Sequence, residues 1–366
     1  MLRSALLRVT PTLRGGPPSH KGLTVKPYPP GFTPAQSWTM PVAFDPRVPP
    51  GDLTLAVGVV PDTIEGALAR ARDLGAIAPS STRDRWEALA TVAAHDLGAA
   101  RALEPHLDAL GILEQAGLPR PHGVWGVFAA EGGGDPLVAT PSGAAWSLTG
   151  TKPWCSLADR LDGALVTAAL PSGDRRLFAV DLRGPGVSVV PGTWRARGLV
   201  EIPSGPVRFE AVPAEPVGET GWYLARPGFA IGGIGVAACW FGGAVGIGRA
   251  VLAAARAKPD PFLLAHLGAI DELLAGCRLA LADAAERADA GDGAPRILAK
   301  RVRSTVARAC EEILWRAGHA LGPAPIALDA AHAKRVADLQ LYVRQHHAER
   351  DLASLGEAVA AEESPW

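Results

Sequence analysis

Several side chains that can transfer protons occur at spacings that would bring them together. Arg101, Glu104 and Asp108 are three and four residues apart, so on a helix they share one face. His346 and His347 are adjacent imidazoles, whose near-neutral pKa suits proton transfer. The first group predicts either the floor of a pocket or a solvated ion network, and the histidines predict either an acid–base site or a hydrogen-bonded interface. We take Glu104 and His346 as the candidate catalytic residues.

Two segments near the middle of the chain combine glycine, aromatic and hydroxyl residues. The first, Phe128–Asp135, reads FAAEGGGD and places a glycine-rich turn after an apolar run. The second, Trp146–Ser156, reads WSLTGTKPWCS and has the composition of a β-hairpin. One interpretation is that the aromatic residues only pack the hairpin and Gly150 only completes a turn. The other is that the two segments build a binding site together.

These segments resemble the acyl-CoA dehydrogenase superfamily, in which a strand ending in Thr-Glu precedes a glycine-rich turn and a hairpin of pattern Leu-x-Gly-x-Lys-x-Trp-x-Ser/Thr. The resemblance covers roughly residues 60–358 and implies FAD as the cofactor. It implies that the flat face of Trp154 covers the isoalloxazine and that the hydroxyl or amide of Ser156 donates toward flavin N5. The residues that it assigns to the cofactor are Phe128, Ala129, Ala130, Trp154, Cys155 and Ser156.

The chain departs from the superfamily pattern at the residues that matter for catalysis. Ala130 replaces the usual threonine, and no serine precedes Asp135. The glutamate that abstracts a substrate proton in acyl-CoA dehydrogenases falls at or near Arg344. Some relatives carry the base on the first bundle helix, near Val236, where this chain has no acid. The usual base is therefore missing, which leaves Glu104 and the histidines as candidates.

Composition excludes several other classes of function. The 36 Lys and Arg nearly balance the 37 Asp and Glu, so no basic surface suggests a nucleic-acid or anionic-membrane partner. The four cysteines are far apart, which argues against a zinc site or a disulfide framework and for a reduced, cytoplasmic protein. The apolar run at Phe229–Ile247 is interrupted by glycines, so we expect a buried helix rather than a membrane span.

The order of the sequence patterns predicts the fold. Helical periodicity over Asp62–Gly117 gives way to short β-rich runs over Trp125–Val217, and long helical stripes return from Gly228. This order, with no Rossmann or P-loop motif, predicts an α+β fold that is mostly α. The expected domains are an extended N-terminal segment (1–50), a helical domain (51–120), a middle antiparallel β-domain (121–220) and a C-terminal four-helix bundle (221–366).

The resemblance implies the oxidation of the Cα–Cβ bond of an acyl thioester, with hydride transfer to flavin N5 and an electron-transfer flavoprotein as acceptor. One alternative on the same scaffold is a flavin-dependent monooxygenase supplied by a flavin reductase. A second alternative is a degenerate, non-catalytic member that only binds a ligand. Superfamily members pair their bundles, and the small-residue segment Gly242–Gly246 suits close packing, so we expect a homodimer or homotetramer.

Overall fold

The structure is a computed structural model that describes residues 40–61, 63–132, 136–143, 145–291 and 295–363. Most of the expected extended N-terminal segment, residues 1–39, lies outside the described residues, and so do positions 133–135 of the glycine-rich turn. The described chain runs from helices through a sheet to further helices, in the predicted order and with a mostly helical content.

Four helices precede the sheet, and polar caps fix where three of them begin. They are α1 (Asp52–Ala56), α2 (Ile64–Gly75), α3 (Thr82–His95) and α4 (Leu97–Gln115). The side chains of Thr63, Ser81 and Asp96 accept hydrogen bonds from backbone N–H groups in the first turns of α2, α3 and α4. Inside α4, Pro105 has no N–H to donate to the carbonyl of Arg101, which loosens the helix beside Glu104.

Seven strands form one sheet that closes on itself. They are β1 (Trp125–Phe128), β2 (Val138–Ser142), β3 (Ala145–Lys152), β4 (Gly163–Ala169), β5 (Arg175–Asp181), β6 (Val187–Val189) and β7 (Val207–Val217). The pairings β4–β2–β3–β7–β5–β4 make a ring, while β1 pairs with β4 and β6 with β7.

The expectation of an antiparallel β-domain agrees with five strand pairings and fails for two. β1 and β2 both run parallel to β4, because a complete hairpin, not a single tight turn, separates β1 from β4 along the chain. Strand β2 lies within the β-rich range that the sequence predicts, although its own pattern is weak. It contains Pro141, which cannot donate to a sheet ladder, and that weakens the strand pattern.

The C-terminal part contains three long helices, followed by shorter ones where a fourth long helix was expected. The helices are α5 (Trp222–Ala225), α6 (Pro227–Ala257), α7 (Pro261–Asp289), α8 (Pro295–Leu321), α9 (Pro323–Leu328), α10 (Ala330–Tyr342) and α11 (Glu349–Ala360). A 3₁₀ turn at Val343–Gln345 ends α10, and Ala348 then adopts a left-handed φ of 46°. This break places His346 and His347 in an irregular segment between α10 and α11.

Helix α6 packs closely against α3 within the same chain. A Cβ atom at Gly242 would lie 2.2 Å from the carbonyl oxygen of Ala90, and one at Gly246 would lie 2.7 Å from that of Ala94. Among the described helices, α6 alone is long and apolar enough to cross a membrane. However, 72% of its most apolar 18-residue stretch is buried inside the protein. The small residues of α6 therefore serve this internal contact and do not support the expected subunit interface.

Candidate functional site

A cavity of about 580 Å³ lies among α4, α6, α8 and the irregular segment before α11. This volume is in the range of pockets that hold small organic ligands. Both candidate catalytic residues reach it, although they are 242 positions apart in the sequence. The lining includes Glu104, Asp108, Phe229, Val236, Arg303 and His346.

Glu104 is a buried carboxyl group on α4, only 9% exposed. Burial raises its pKa from the ordinary 4.5 to about 7, and the nearby charge of Arg101 opposes this rise only in part. Asp108, one turn further along α4, also has a raised pKa because of burial, although Arg226 Nη2 lies 3.7 Å from its Oδ1. Glu104 is thus close to half protonated at neutral pH, which suits a group that exchanges protons.

Arg101 connects Glu104 to the hairpin segment. Its Nη1 lies 3.5 Å from Glu104 Oε2, and its Nη2 donates to Ser156 Oγ at 3.2 Å. The guanidinium group also lies over the ring of Tyr342, 5.5 Å from the centroid. Ser156 Oγ is 2.7 Å from Ser204 Oγ, so its hydroxyl is held from two sides. The structure therefore joins a predicted catalytic residue to a predicted cofactor residue through one guanidinium.

A buried lysine holds the two motif segments together. Lys152, only 1% exposed, donates to Glu131 Oε1 at 2.9 Å and to Thr167 Oγ1 at 2.8 Å. Burial lowers the pKa of Lys152, and the ion pair with Glu131 opposes that change. Gly150, three residues before Pro153, has a φ of 127° that favours glycine, and a Cβ there would lie 2.9 Å from the carbonyl oxygen of Pro136. The glycine and lysine of the sequence pattern thus shape the turn that precedes Trp154.

Trp154 combines strained backbone with an exposed aromatic face. Its φ is 60°, a left-handed conformation that is uncommon for a bulky residue, and 59% of its surface is exposed. Such strain often marks a functional position. Cys155 beside it is buried, its amide donates to the carbonyl of Gly205 at 3.0 Å, and burial raises the pKa of its thiol to about 12. The thiol therefore stays protonated at neutral pH and serves packing.

The other three residues assigned to the cofactor lie where β1 ends. Phe128 is buried and pairs with Val166 of β4, whereas Ala130 is exposed after the strand has ended. Thr167 Oγ1 lies 3.5 Å from the carbonyl oxygen of Ala129. The backbone of Ala129 and Ala130 thus leaves the sheet next to the Lys152 cluster, beside the hairpin that carries Trp154.

His346 is 7% exposed and lines the cavity, with its Nε2 3.1 Å from Ser304 Oγ and 3.8 Å from Asp351 Oδ2. Burial lowers its pKa, so the imidazole is neutral at pH 7. The neighbouring His347 has a 59% exposed side chain, and its Nδ1 lies 3.4 Å from Asp351 Oδ1. The two adjacent histidines therefore occupy different environments, and the buried one has the better-defined contacts.

Arg344, at the position of the usual catalytic glutamate, forms an ion pair with Glu311 on α8, and both side chains are half exposed. Val236, at the alternative base position, gives the cavity an apolar wall. Sequence reasoning missed Arg303, whose guanidinium lies 4.8 Å from the centroid of the Trp240 ring. The signal was present as a repeat of basic residues along α8, but a charge repeat on a helix usually marks a solvated face.

Compared by sequence, the chain matches no protein-family profile and no curated protein. Compared by structure, it resembles TdsC from Paenibacillus sp. A11-2 in its FMN-bound form, with 19% identity, a TM-score of 0.68 and coverage of 76% of this chain and 83% of that one. A complex of KijD3 with dTDP has 21% identity, a TM-score of 0.67 and coverage of 81% and 88%.

A glutaryl-CoA dehydrogenase from Mycobacterium smegmatis in complex with FADH2 gives a TM-score of 0.72 at 16% identity, covering 86% of this chain and 95% of that one. Identities this low carry information about the fold and not about the reaction.

Proposed function

From the acyl-CoA dehydrogenase fold that these structural comparisons show, we propose that the chain is a flavin-dependent oxidoreductase acting on a small organic substrate. The substrate occupies the 580 Å³ cavity, and Glu104 is the group that exchanges protons with it. One observation carries the proposal. Arg101 contacts both the buried carboxyl of Glu104 and the hydroxyl of Ser156, and so joins the cavity to the hairpin that bears Trp154.

The residues around the hairpin fit a flavin. Trp154 is exposed enough to offer its indole to a flat ring, and the backbone of Ala129 and Ala130 leaves β1 next to Thr167, which accepts a hydrogen bond from Lys152 on the same hairpin. Ser156 lies two residues beyond the tryptophan, where the resemblance expects a donor to flavin N5. A flavin held here supplies the two-electron acceptor that none of the side chains of the cavity can supply.

We propose FAD as the flavin. The structurally similar glutaryl-CoA dehydrogenase was crystallised with FADH2. FMN is the alternative, because the structurally similar TdsC was crystallised with FMN. Chromatography of the cofactor released from denatured protein distinguishes the two. FMN alone in the released fraction, with no FAD taken up by the apoprotein, contradicts the choice of FAD.

The first proposed reaction is the α,β-oxidation of an acyl thioester. Its α-proton is too weakly acidic to leave without a positioned base, and a carboxyl with a pKa of about 7 on the cavity wall is well matched to that task. Arg101, 3.5 Å away, favours the charged form of Glu104 and thereby keeps the carboxylate available. In this reaction Glu104 takes over the role of the glutamate that is replaced at Arg344.

One observation favours monooxygenation as a second candidate. The side chain at the usual base position, Arg344, is paired with Glu311, and the cavity lining does not include it. A monooxygenase needs no base for an α-proton. It needs a proton donor near the substrate, and the partly protonated Glu104 can fill that role, while the neutral His346 can donate a hydrogen bond to the substrate. In the monooxygenase reaction a flavin reductase would supply electrons to the flavin. In the dehydrogenase reaction an electron-transfer flavoprotein would accept electrons from it.

Anaerobic titration of the flavin-loaded protein with a panel of acyl-CoAs separates these reactions. Bleaching of the flavin by an acyl-CoA, lost in Glu104→Gln, is the result expected for the first reaction. Reduction only by NAD(P)H with a flavin reductase, followed by oxygen-dependent product formation, is the result expected for the second. A purified protein that is colourless and takes up no flavin contradicts the proposed function and leaves the degenerate, ligand-binding interpretation.

A further inference from the structure

Three basic residues on one face of α8 line the cavity. Arg296, Lys300 and Arg303 are spaced by four and three residues, so their side chains follow one stripe of the helix. Arg296 is exposed, whereas Lys300 and Arg303 are half-buried, so the stripe runs from solvent toward the interior. We propose that this stripe recognises an anionic group, a carboxylate or a phosphate, on the substrate; this inference rests on the cavity being the substrate site of the proposed oxidoreductase.

The three cations keep donor groups that are available to a ligand. In the part of the chain that the structure describes, their hydrogen bonds go to carbonyl and hydroxyl oxygens. Arg296 Nη2 donates to the carbonyl of Leu224 at 3.0 Å, and Lys300 Nζ donates to Ser354 O at 2.9 Å and Ser354 Oγ at 2.5 Å. These neutral partners hold the side chains without cancelling their charge, and each head group has more N–H donors than these bonds use.

Arg303 is placed more rigidly than the other two. Its Nη1 donates to the carbonyl of Gly233 at 2.6 Å, its Nη2 donates to that of Gln345 at 3.1 Å, and its guanidinium stacks on the Trp240 ring. Burial lowers its pKa, and the group nevertheless remains protonated because an arginine titrates far above neutral pH. A fixed, charged guanidinium at the inner end of a cavity suits recognition of a planar or tetrahedral anion.

The carboxyl groups of the cavity do not cancel this charge. Asp108 lies 3.7 Å from a fourth cation, Arg226, and Asp351 lies 3.4 Å from His347. Glu104, with its pKa near 7, carries only part of a negative charge at neutral pH. The lining thus has four basic side chains, Arg226, Arg296, Lys300 and Arg303, against three carboxyl groups, and the excess lies on the α8 stripe.

The remaining walls of the cavity are largely apolar, with Phe229, Ala230, Val236 and Ala299 among them. A cavity with a cationic stripe and apolar walls selects a compact organic anion, in which a hydrophobic body is joined to one charged group. A free inorganic anion makes no apolar contact with these walls, and a neutral hydrocarbon makes no ionic contact with the stripe. Both should therefore bind more weakly than an organic anion.

Matched probes test the proposal by isothermal titration calorimetry of the purified full chain at pH 6, where most of Glu104 is protonated. Benzoate and phenyl phosphate represent the two anions, benzamide is the neutral isostere, and inorganic phosphate lacks the apolar body. Because a lost hydrogen bond to a charged group costs about tenfold or more in affinity, we expect benzamide to bind at least that much more weakly than benzoate. Added salt should weaken benzoate binding and leave benzamide binding unchanged.

The variants Lys300→Met and Arg296→Gln lie toward solvent, so they test the stripe without disturbing the packed guanidinium of Arg303. Each should weaken benzoate or phenyl phosphate binding about tenfold, while Lys300→Arg retains it. Arg308→Gln, an exposed position on the same helix, is the control and should bind like the unaltered protein. The inference is overturned if benzamide binds as tightly as benzoate, if inorganic phosphate binds as tightly as phenyl phosphate, or if both stripe variants bind like Arg308→Gln.

The flavin content of each preparation is read from its visible spectrum, independently of the calorimetry. A protein that takes up flavin but shows no preference for the anionic probes contradicts the anion site alone. A protein that takes up no flavin but prefers benzoate through Lys300 contradicts the oxidoreductase and supports the anion site. The two failures are therefore distinguishable.

Discussion

Replacing Glu104 by glutamine tests whether its carboxyl is buried as the structure shows. A pKa raised from 4.5 to about 7 means that the folded protein binds this proton more tightly than the unfolded chain does. The corresponding stability is fully present below pH 4.5 and is lost as the pH rises through 7. Since each tenfold change in proton affinity corresponds to about 1.4 kcal/mol, the loss between pH 5 and pH 8 is about 2 to 3 kcal/mol.

Glutamine cannot titrate, so Glu104→Gln lacks this dependence. The free energy of unfolding of the native protein minus that of Glu104→Gln should therefore fall by about 2 to 3 kcal/mol from pH 5 to pH 8. Urea denaturation of both proteins at several pH values measures the difference. The other titrating groups contribute nearly equally to the stability of both proteins, so their contributions largely cancel in this difference. The control is Glu114→Gln on the same helix, where the native side chain is 66% exposed and the difference should stay flat. A flat difference for Glu104→Gln as well would show that this carboxyl is not buried and would remove its proposed role.

Two further substitutions test how the site is held. Lys152→Met removes the buried cation beside Glu131, and we expect a loss of about 2 kcal/mol in urea denaturation together with weaker flavin uptake; unchanged stability would contradict the bridging role. Gly242→Ala would place a methyl group 2.2 Å from the carbonyl oxygen of Ala90 and should destabilise the protein by about 3 kcal/mol. Thermal denaturation measures this loss, and the control is Gly276→Ala, whose new methyl group meets no atom within 4 Å outside the nearby backbone of its own helix and should be neutral or slightly stabilising.

The sequence was most informative where spacing and chemistry agree. Glu104 shares a helix face with Arg101 and Asp108, and the structure places Glu104 and Asp108 on the cavity and Arg101 in contact with Glu104. Trp154, which the resemblance assigns to the cofactor, is exposed in the structure, and its role stays a prediction. The order of helices, strands and helices followed from periodicity alone, since long amphipathic stripes and short β-rich runs are distinct patterns.

Other features depend on tertiary contacts that no local pattern encodes. The stripe of Lys300 and Arg303 has the spacing of an ordinary solvated face, and only the position of α11 and the irregular segment before it converts that face into a cavity wall. The segment Gly242–Gly246 suggested a subunit interface, but close approach to another helix is the same signal whether that helix belongs to the same chain or to a partner. The parallel pairing of β1 with β4 depends on how the chain runs between these strands, which the local sequence pattern of either strand does not specify.

The most direct test of the account is flavin binding by the native protein and by Trp154→Gly. Because Trp154 is 59% exposed and its φ is 60°, glycine removes the ring face without adding backbone strain, and the thermal midpoint should not fall. Fluorescence titration of each apoprotein with FAD then measures the contribution of the ring. We expect the native protein to bind FAD and the variant to bind it about tenfold more weakly, which corresponds to the loss of one stacked aromatic contact. Equal affinity in the two proteins, or no binding by the native one, would contradict the assignment of this hairpin to a flavin.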